Sequence, residues 1–277
     1  MIGKTDQLRV KHIRGLSQDE LFAIIAAHHS VLRSGDGILK NGYRNVVTRV
    51  RHGNDWFCVK EYRSQGVSDR IKDLFRGLRA RQAWRGASHL RRHGIAAPET
   101  LALVEQARKS YLVTYFIKGA VPLNLLLRER FSGPLARDEI VAKRAMVQQL
   151  GQWLRRIHKL GVYHDDWSTK NILAAEQNGQ WAFHILDTES VLPRKRLTYR
   201  RRVKNLGQLS DAPFGITRTD RMLFLLAYAG GNATVTRGSF PQDVLDAARR
   251  RTEKWARVQS KAFKRKARMK RKMENEK

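Results

Sequence analysis

The stretch His164-Asp165-Asp166-Trp167-Ser168-Thr169-Lys170-Asn171-Ile172-Leu173, followed by His184-Ile185-Leu186-Asp187, carries residue types that can move a phosphoryl group. An amide lies five residues after Asp166, and a second acid sixteen residues beyond Asn171, each beside an apolar run. Asp166 can accept the proton of an attacking hydroxyl, while Asn171 and Asp187 offer hard oxygen ligands to the Mg²⁺ that neutralises nucleotide phosphates. Lys170, four residues after Asp166, can stabilise the transferring group electrostatically. His-x-Asp alone is a weak signal. With the asparagine, the apolar run and the later apolar-apolar-Asp it is a strong one, set against the plain alternative of a polar loop between a helix and a hairpin.

Ligands for a metal need rigid backbone beneath them. Residues 172–174 and 181–186 read as two short strands joined by Gln177-Asn178-Gly179. Further upstream, residues 46–50 and 56–62 are rich in Val, Phe, Trp and Tyr and flank the turn Arg51-His52-Gly53-Asn54-Asp55. Lys60 lies in the second of these strands, where a lysine can pair the α- and β-phosphates of ATP. Gly42 can mark the bend of a phosphate-covering loop, though one glycine is far from a glycine-rich signature. The other reading of Lys60 is a strand lysine with packed stem and solvated head.

The remaining pattern is α and β in alternation. Ser17-Gln18-Asp19-Glu20 is a capping-box signature opening a helix over residues 21–29, which His28 and His29 are expected to end without forming a site. A basic helix is expected over 69–93 and a hairpin over 101–105 and 111–117. Lys118-Gly119-Ala120-Val121-Pro122 has hinge composition. Residues 138–160 form a long helix with Met146, Leu150, Trp153, Leu154 and Ile157 on one face, stopped by Gly161 just before the chemical stretch. Helices over 219–229 and 241–251 follow.

These residues resemble the lipopolysaccharide kinase family, the heptose and Kdo kinases of the lipopolysaccharide core. The resemblance covers roughly residues 38–230. It rests on Val59-Lys60-Glu61-Tyr62-Arg63, on Ala80-Arg81-Gln82-Ala83-Trp84-Arg85 running into Leu90-Arg91-Arg92-His93-Gly94-Ile95 and Pro98, on the stretch above with Asp187, and on Asn205-Leu206-Gly207-Gln208-Leu209. It implies an α+β, bilobal protein-kinase-like fold with a small β-rich N-lobe and a mostly helical C-lobe. The implied organisation is a helical extension (1–35), an N-lobe (36–118), a C-lobe with the catalytic loop (119–248) and a basic tail (249–277). It makes Asp166 the catalytic base, His164 the loop-bracing histidine, Asn171 and Asp187 the metal ligands, and Lys60 the phosphate-binding lysine. One departure stands out. The family's helix glutamate, partner of the lysine, precedes the Trp, and here that position is Ala83. Glu61 lies on the opposite strand face, which leaves Glu99 or Glu105 as the expected substitutes.

Charge bounds the partners. Lys and Arg number 55 against 25 Asp and Glu, a net +30. Residues 249–277 hold 14 basic and 3 acidic residues, which leaves +19 in the remainder. Such a field draws polyanions. Arg194-Lys195-Arg196 and Arg200-Arg201-Arg202 follow Asp187 closely and are placed to grip phosphate or carboxylate groups of an anionic glycolipid acceptor, or form a solvated basic face. In the tail, Trp255, Val258, Ala262, Met269 and Met273 mostly follow helical spacing among Lys and Arg. That pattern suits peripheral contact with the inner membrane face; a disordered basic extension is the alternative. One cysteine, Cys58, excludes an intramolecular disulfide. No leader or membrane span is evident, so a cytoplasmic protein is expected. Two other classes stay open: a kinase fold acting without catalysis, or as a protein kinase, at a partner or membrane surface, and a basic nucleic-acid-binding protein, for which no helix-turn-helix, RRM or zinc-finger pattern is present.

Overall fold

Strand alternation places Phe57, Val59 and Glu61 on one face of a strand and Cys58, Lys60 and Tyr62 on the other, and the structure builds two different environments there. The structure is a computed structural model that describes residues 8–63, 79–106, 109–210, 215–231 and 238–275. In its last helix, side chains are described to residue 254 and at 256–258 and 260. Two compact units result. One comprises Met1–Val121, Asn171–Gln177 and Ala182–Pro193; the other comprises Pro122–Lys170, Asn178–Trp181 and Arg194–Lys277.

The first unit is built on a six-stranded antiparallel sheet of β1 (Arg9–Ile13), β2 (Ile38–Asn41), β3 (Asn45–His52), β4 (Asp55–Arg63), β5 (Thr100–Glu105) and β6 (Lys109–Tyr115), ordered β1-β5-β6-β4-β3-β2. Lys60 sits in register between Val47 of β3 and Leu112 of β6, the most restrained position a strand residue can take.

Helix α1 (Gln18–Ser34) opens with the Ser17–Glu20 capping box and ends at Gly35 in the left-handed region. Its Leu21, Ile24 and Ile25 pack with Val50, Phe57, Val59, Leu101 and Val113. The helix runs one and a half turns past the expected stop, because His28 is buried rather than terminal. Its Nδ1 is 2.7 Å from Thr48 Oγ1 and its Nε2 3.2 Å from Glu61 Oε2. Glu61, wholly buried, also accepts from Arg63 and Lys109. Burial raises its pKa, but these donors outweigh it and hold the carboxyl at about 2.

The other face of β4 meets α2 (Arg79–Arg92), whose Ala80, Ala83 and Trp84 pack with Tyr62, Leu103 and Leu112. The part of the expected basic helix before Arg79 lies outside the described residues. Two further strands of the chain, β7 (Ile172–Gln177) and β8 (Gln180–Ile185), form the hairpin foreseen from the sequence.

The second unit is helical: α3 (Leu123–Phe131), α4 (Arg137–Lys159), α5 (Tyr199–Leu209), α6 (Arg218–Ala229) and α7 (Phe240–Asn275). Small residues set its packing distances. A Cβ on Gly151 of α4 would lie 2.6 Å from Phe224 O of α6, and one on Gly207 of α5 would lie 2.7 Å from Ala247 Cβ of α7. Trp153 stacks on Trp167, centroids 5.7 Å apart, in keeping with a packing role. Helix α4 is capped at Leu160, and Gly161 follows with positive φ. No helix among the described residues is long and apolar enough to cross a membrane.

Buried polar side chains among the described residues of this unit include Lys143 and His158. Lys143 Nζ lies 2.9 Å from Asp220 Oδ2 and donates to Gly215 O. His158 Nδ1 is 2.8 Å from Tyr228 OH. Replacing Lys143 by Met strands a buried carboxylate and should cost about 3–5 kcal/mol in urea unfolding, most of it recovered when Asp220 is also made apolar. A loss of less than about 1 kcal/mol would show the pair behaves as a solvated one.

Burial, reinforced by Arg202, pushes His158 down to about 3 from 6.5. Between those values only the unfolded chain takes up the proton. Stability from this residue is therefore complete above about pH 6.5 and declines as pH falls toward 3, by up to about 1.4 kcal/mol per pH unit. His158→Gln should flatten the acid limb of a stability–pH profile between about pH 6 and 5; an unchanged slope would assign that limb to other groups.

Candidate functional site

A lysine ammonium buried in a sheet needs negative charge around it, or it loses its proton. Lys60 finds it in two acids. Its Nζ lies 2.5 Å from Asp187 Oδ1 and 3.0 Å from both carboxylate oxygens of Glu189. Burial alone lowers its pKa, yet Tyr62, Glu189 and Asp187 more than offset that and shift it upward, so the group stays charged. Glu189 accepts two further bonds, from Arg79 Nη2 at 3.1 Å and Tyr62 OH at 3.2 Å. The expectation that Glu105 would reach Lys60 is overturned: its carboxylate takes a bidentate pair from Arg81, at 2.5 and 2.7 Å. The described contacts of Lys60 do not include Glu99.

The turn that carries both acids is held against the backbone of α2. Asp187 adopts φ 51°, ψ 51°, a left-handed conformation that is uncommon for a side-chain-bearing residue. Residues Thr188–Ser190 form one 3₁₀ turn, with Ser190 N donating to Asp187 O at 2.8 Å. Thr188 Oγ1 donates to Ala83 O at 2.9 Å. On the next turn of α2, a Cβ added to Gly86 would stand 2.0 Å from Thr188 O, so the turn lies directly on the helix backbone. Leu186 N donates to Asn171 O at 2.8 Å, which ties the residue before Asp187 to the other expected metal ligand. Lys60, Asn171 and Asp187 are thus brought together within the first unit.

Asp166, His164 and Lys170 belong to the second unit. His164 is buried edge-on against Trp167, centroids 5.2 Å apart. The stretch around it is braced by α5. Asn205 Nδ2 donates to His164 O at 2.7 Å, Gln208 Nε2 to Asp165 O at 2.6 Å, and Gln208 Oε1 accepts from Trp167 N at 3.1 Å. This locks the backbone on both sides of Asp166 while leaving its side chain 56% exposed. Asp166 Oδ1 accepts from Arg251 Nη2 of α7 at 3.0 Å. Its neighbour Asp165 pairs with Lys204 at 2.9 Å, a bond that lowers its pKa. Lys170 is exposed.

The remaining expected residues fall on the surface or in turns. Gly42 starts the tight β2–β3 turn, its N–H donating to Asn45 O at 2.9 Å. Arg194, Lys195 and Arg196 are exposed; Arg200, Arg201 and Arg202 fill the first turn of α5, which has no acid. Glu189, Arg251, Asn205 and Gln208 were missed as functional groups. For Glu189 the sequence held a signal, an acid two residues after Asp187; for Arg251 it held none, since that residue is one of many arginines. The side chains of Trp255, Ala262, Met269 and Met273 lie outside the described residues.

The family model described as "Lipopolysaccharide kinase (Kdo/WaaP) family" matches residues 30–228. A solved structure titled "WaaP in complex with acyl carrier protein" superposes with a TM-score of 0.59 at 20% identity, covering 90% of this chain and 98% of that one. At that identity the likeness speaks for the fold, and it bears out the expected α+β arrangement of a β-rich N-terminal part and a helical C-terminal part. A comparison with curated proteins finds no match.

In an ordinary helix interior Gly→Ala gains about 0.5–1 kcal/mol. At Gly86 the added methyl meets the Thr188 carbonyl, so Gly86→Ala should instead lower the melting temperature. A rise would mean that the Asp187–Glu189 turn does not rest on this helix.

Proposed function

The chain belongs to the lipopolysaccharide kinase (Kdo/WaaP) family, a family of kinases, and from that premise we propose that it transfers a phosphoryl group from ATP, with Mg²⁺, to a heptose- or Kdo-type sugar hydroxyl of the lipopolysaccharide core. The observation that carries this reading is the Lys60–Asp187 pair, with Asn171 tied through its carbonyl to the residue before Asp187. Hard oxygen donors from an acid and an amide suit Mg²⁺, which keeps few protein ligands and completes its shell with phosphate and water. Bound there, the ion would neutralise charge on the β- and γ-phosphates.

The chain's own residues have distinct tasks. Lys60 binds the α- and β-phosphates as a compact cation. Asp166 orients the acceptor hydroxyl and takes its proton; its mostly exposed carboxylate, on a backbone fixed by Asn205 and Gln208, supports that role. His164 braces the loop from within the core, and Lys170 offers positive charge to the phosphoryl in flight. Gly42 in the β2–β3 turn covers the nucleotide. The exposed Arg194, Lys195 and Arg196 and the arginines at the start of α5 grip the anionic acceptor, and the basic tail adds peripheral attraction to an anionic membrane face.

Asp166→Ala should lower turnover about 10²–10⁴-fold and leave nucleotide binding intact. ATP should raise the melting temperature only when Mg²⁺ is present, and Asp187→Ala should abolish that rise. A stabilisation by ATP that is indifferent to Mg²⁺ and to Asp187 would overturn the site assignment. Heptose and Kdo acceptors are separated by assaying phosphate incorporation into core oligosaccharides that carry one or the other.

A further inference from the structure

A phosphate-binding lysine works only while something holds it. Its stem has four rotatable bonds, and a neutral amine would bind phosphate far more weakly than an ammonium. In protein kinases a helix glutamate does this work, and the position that the family resemblance assigns to that glutamate is Ala83. Ala83 is wholly buried among Tyr62, Ala80, Trp84, Leu103 and Leu112. At Ala83 and Gly86 the helix therefore presents bare backbone, and the Asp187–Ser190 turn rests on it there through Thr188.

That seat brings in a different carboxylate. Glu189 is 8% exposed, against 29% for Asp187, and both its oxygens lie 3.0 Å from Lys60 Nζ. Arg79 and Tyr62 hold its two oxygens from other directions, so its geometry is over-determined. Asp187 also touches Lys60, but it is the more exposed of the two and is the expected metal ligand. A carboxylate that also coordinates Mg²⁺ shares its charge between ion and ammonium, which leaves Glu189 as the acid committed to the lysine.

We propose that Glu189 is the positioning residue of Lys60, standing in for the helix glutamate that Ala83 lacks, and that it holds the lysine while Asp187 is engaged elsewhere. The assignment rests on the kinase reading above for its consequence in nucleotide binding, and on geometry alone for its hold on Lys60. The departure at Ala83 then marks a relocated acid and no longer favours a kinase fold without catalysis.

Two readouts on the full chain test this. The first is the rate at which an amine-acylating reagent modifies Lys60 in the nucleotide-free protein, followed by peptide mass spectrometry across a pH series. The second is Mg–ATP affinity by calorimetry. The variants are Glu189→Gln, Glu189→Asp, Asp187→Asn and Lys60→Met, each checked for an unchanged melting profile.

Glu189→Gln should make Lys60 acylate several-fold faster at lower pH and weaken Mg–ATP roughly tenfold or more, with no further loss in the double variant with Lys60→Met. Glu189→Asp should recover part of both, and Asp187→Asn should change acylation less than Glu189→Gln does. Wild-type acylation of Lys60 in Glu189→Gln would overturn the proposal. If Lys60→Met leaves Mg–ATP affinity unchanged, the nucleotide-site reading falls, while the acylation arm still decides whether Glu189 holds Lys60. Should Glu189→Gln unfold the chain, Glu189→Asp and Tyr62→Phe, which removes one donor to Glu189, carry the same acylation test.

Discussion

A largely buried ammonium held between two carboxylates is the interaction around which the first unit's charge cluster is arranged. Lys60 emerges from a strand paired on both sides, so its Cα cannot drift. Its head stays charged because Asp187 and Glu189 surround it despite the cost of burial. Both acids come from one short turn, and that turn rests on the backbone of α2 through the Thr188 hydroxyl at Ala83 and the Thr188 carbonyl at Gly86. Asn171 is tied to the same segment through Leu186 N. Strand, helix and turn thus converge on one charge cluster, and each would be misplaced without the others.

The second unit solves a related problem differently. After a short strand that ends at His164, the backbone through Asp165 and Trp167 is irregular, and irregular backbone must have its polar groups satisfied from outside. Asn205 and Gln208, three residues apart on α5, supply those bonds from one helix face. Asp166 projects from this braced stretch with an accessible carboxylate, reached by Arg251. Glycines at 151 and 207 let helices approach to backbone contact, which stiffens the platform beneath. The helices thus carry a short polar segment whose backbone is fixed on both sides of Asp166.

Two expectations failed for the same reason. Glu105 was a candidate for Lys60 because it lies on another strand of the sheet, yet it pairs with Arg81. His28 and His29 were read as a helix end, yet α1 continues and His28 joins Glu61 and Thr48 in the core. In both cases the partner comes from an element distant in sequence. Residue type and local spacing say that a buried carboxylate or imidazole needs a partner; they do not say which one arrives.

What the sequence determined by itself was local and periodic. The capping box at Ser17, the strand carrying Lys60, the hairpin after Asn171 and the long helix stopped by Gly161 were legible because backbone preference and hydrophobic spacing act over a few residues. The proximity of Asn171 to the residue before Asp187 follows from the same hairpin, since Leu186 N reaches Asn171 O. Only the tertiary structure decided that Glu189 and not Glu105 meets Lys60, that Ala83 and Gly86 form a seat for a turn, and that Arg251 reaches Asp166. Those outcomes depend on where distant segments come to rest, and a charge finds its partner only after packing has settled the distances.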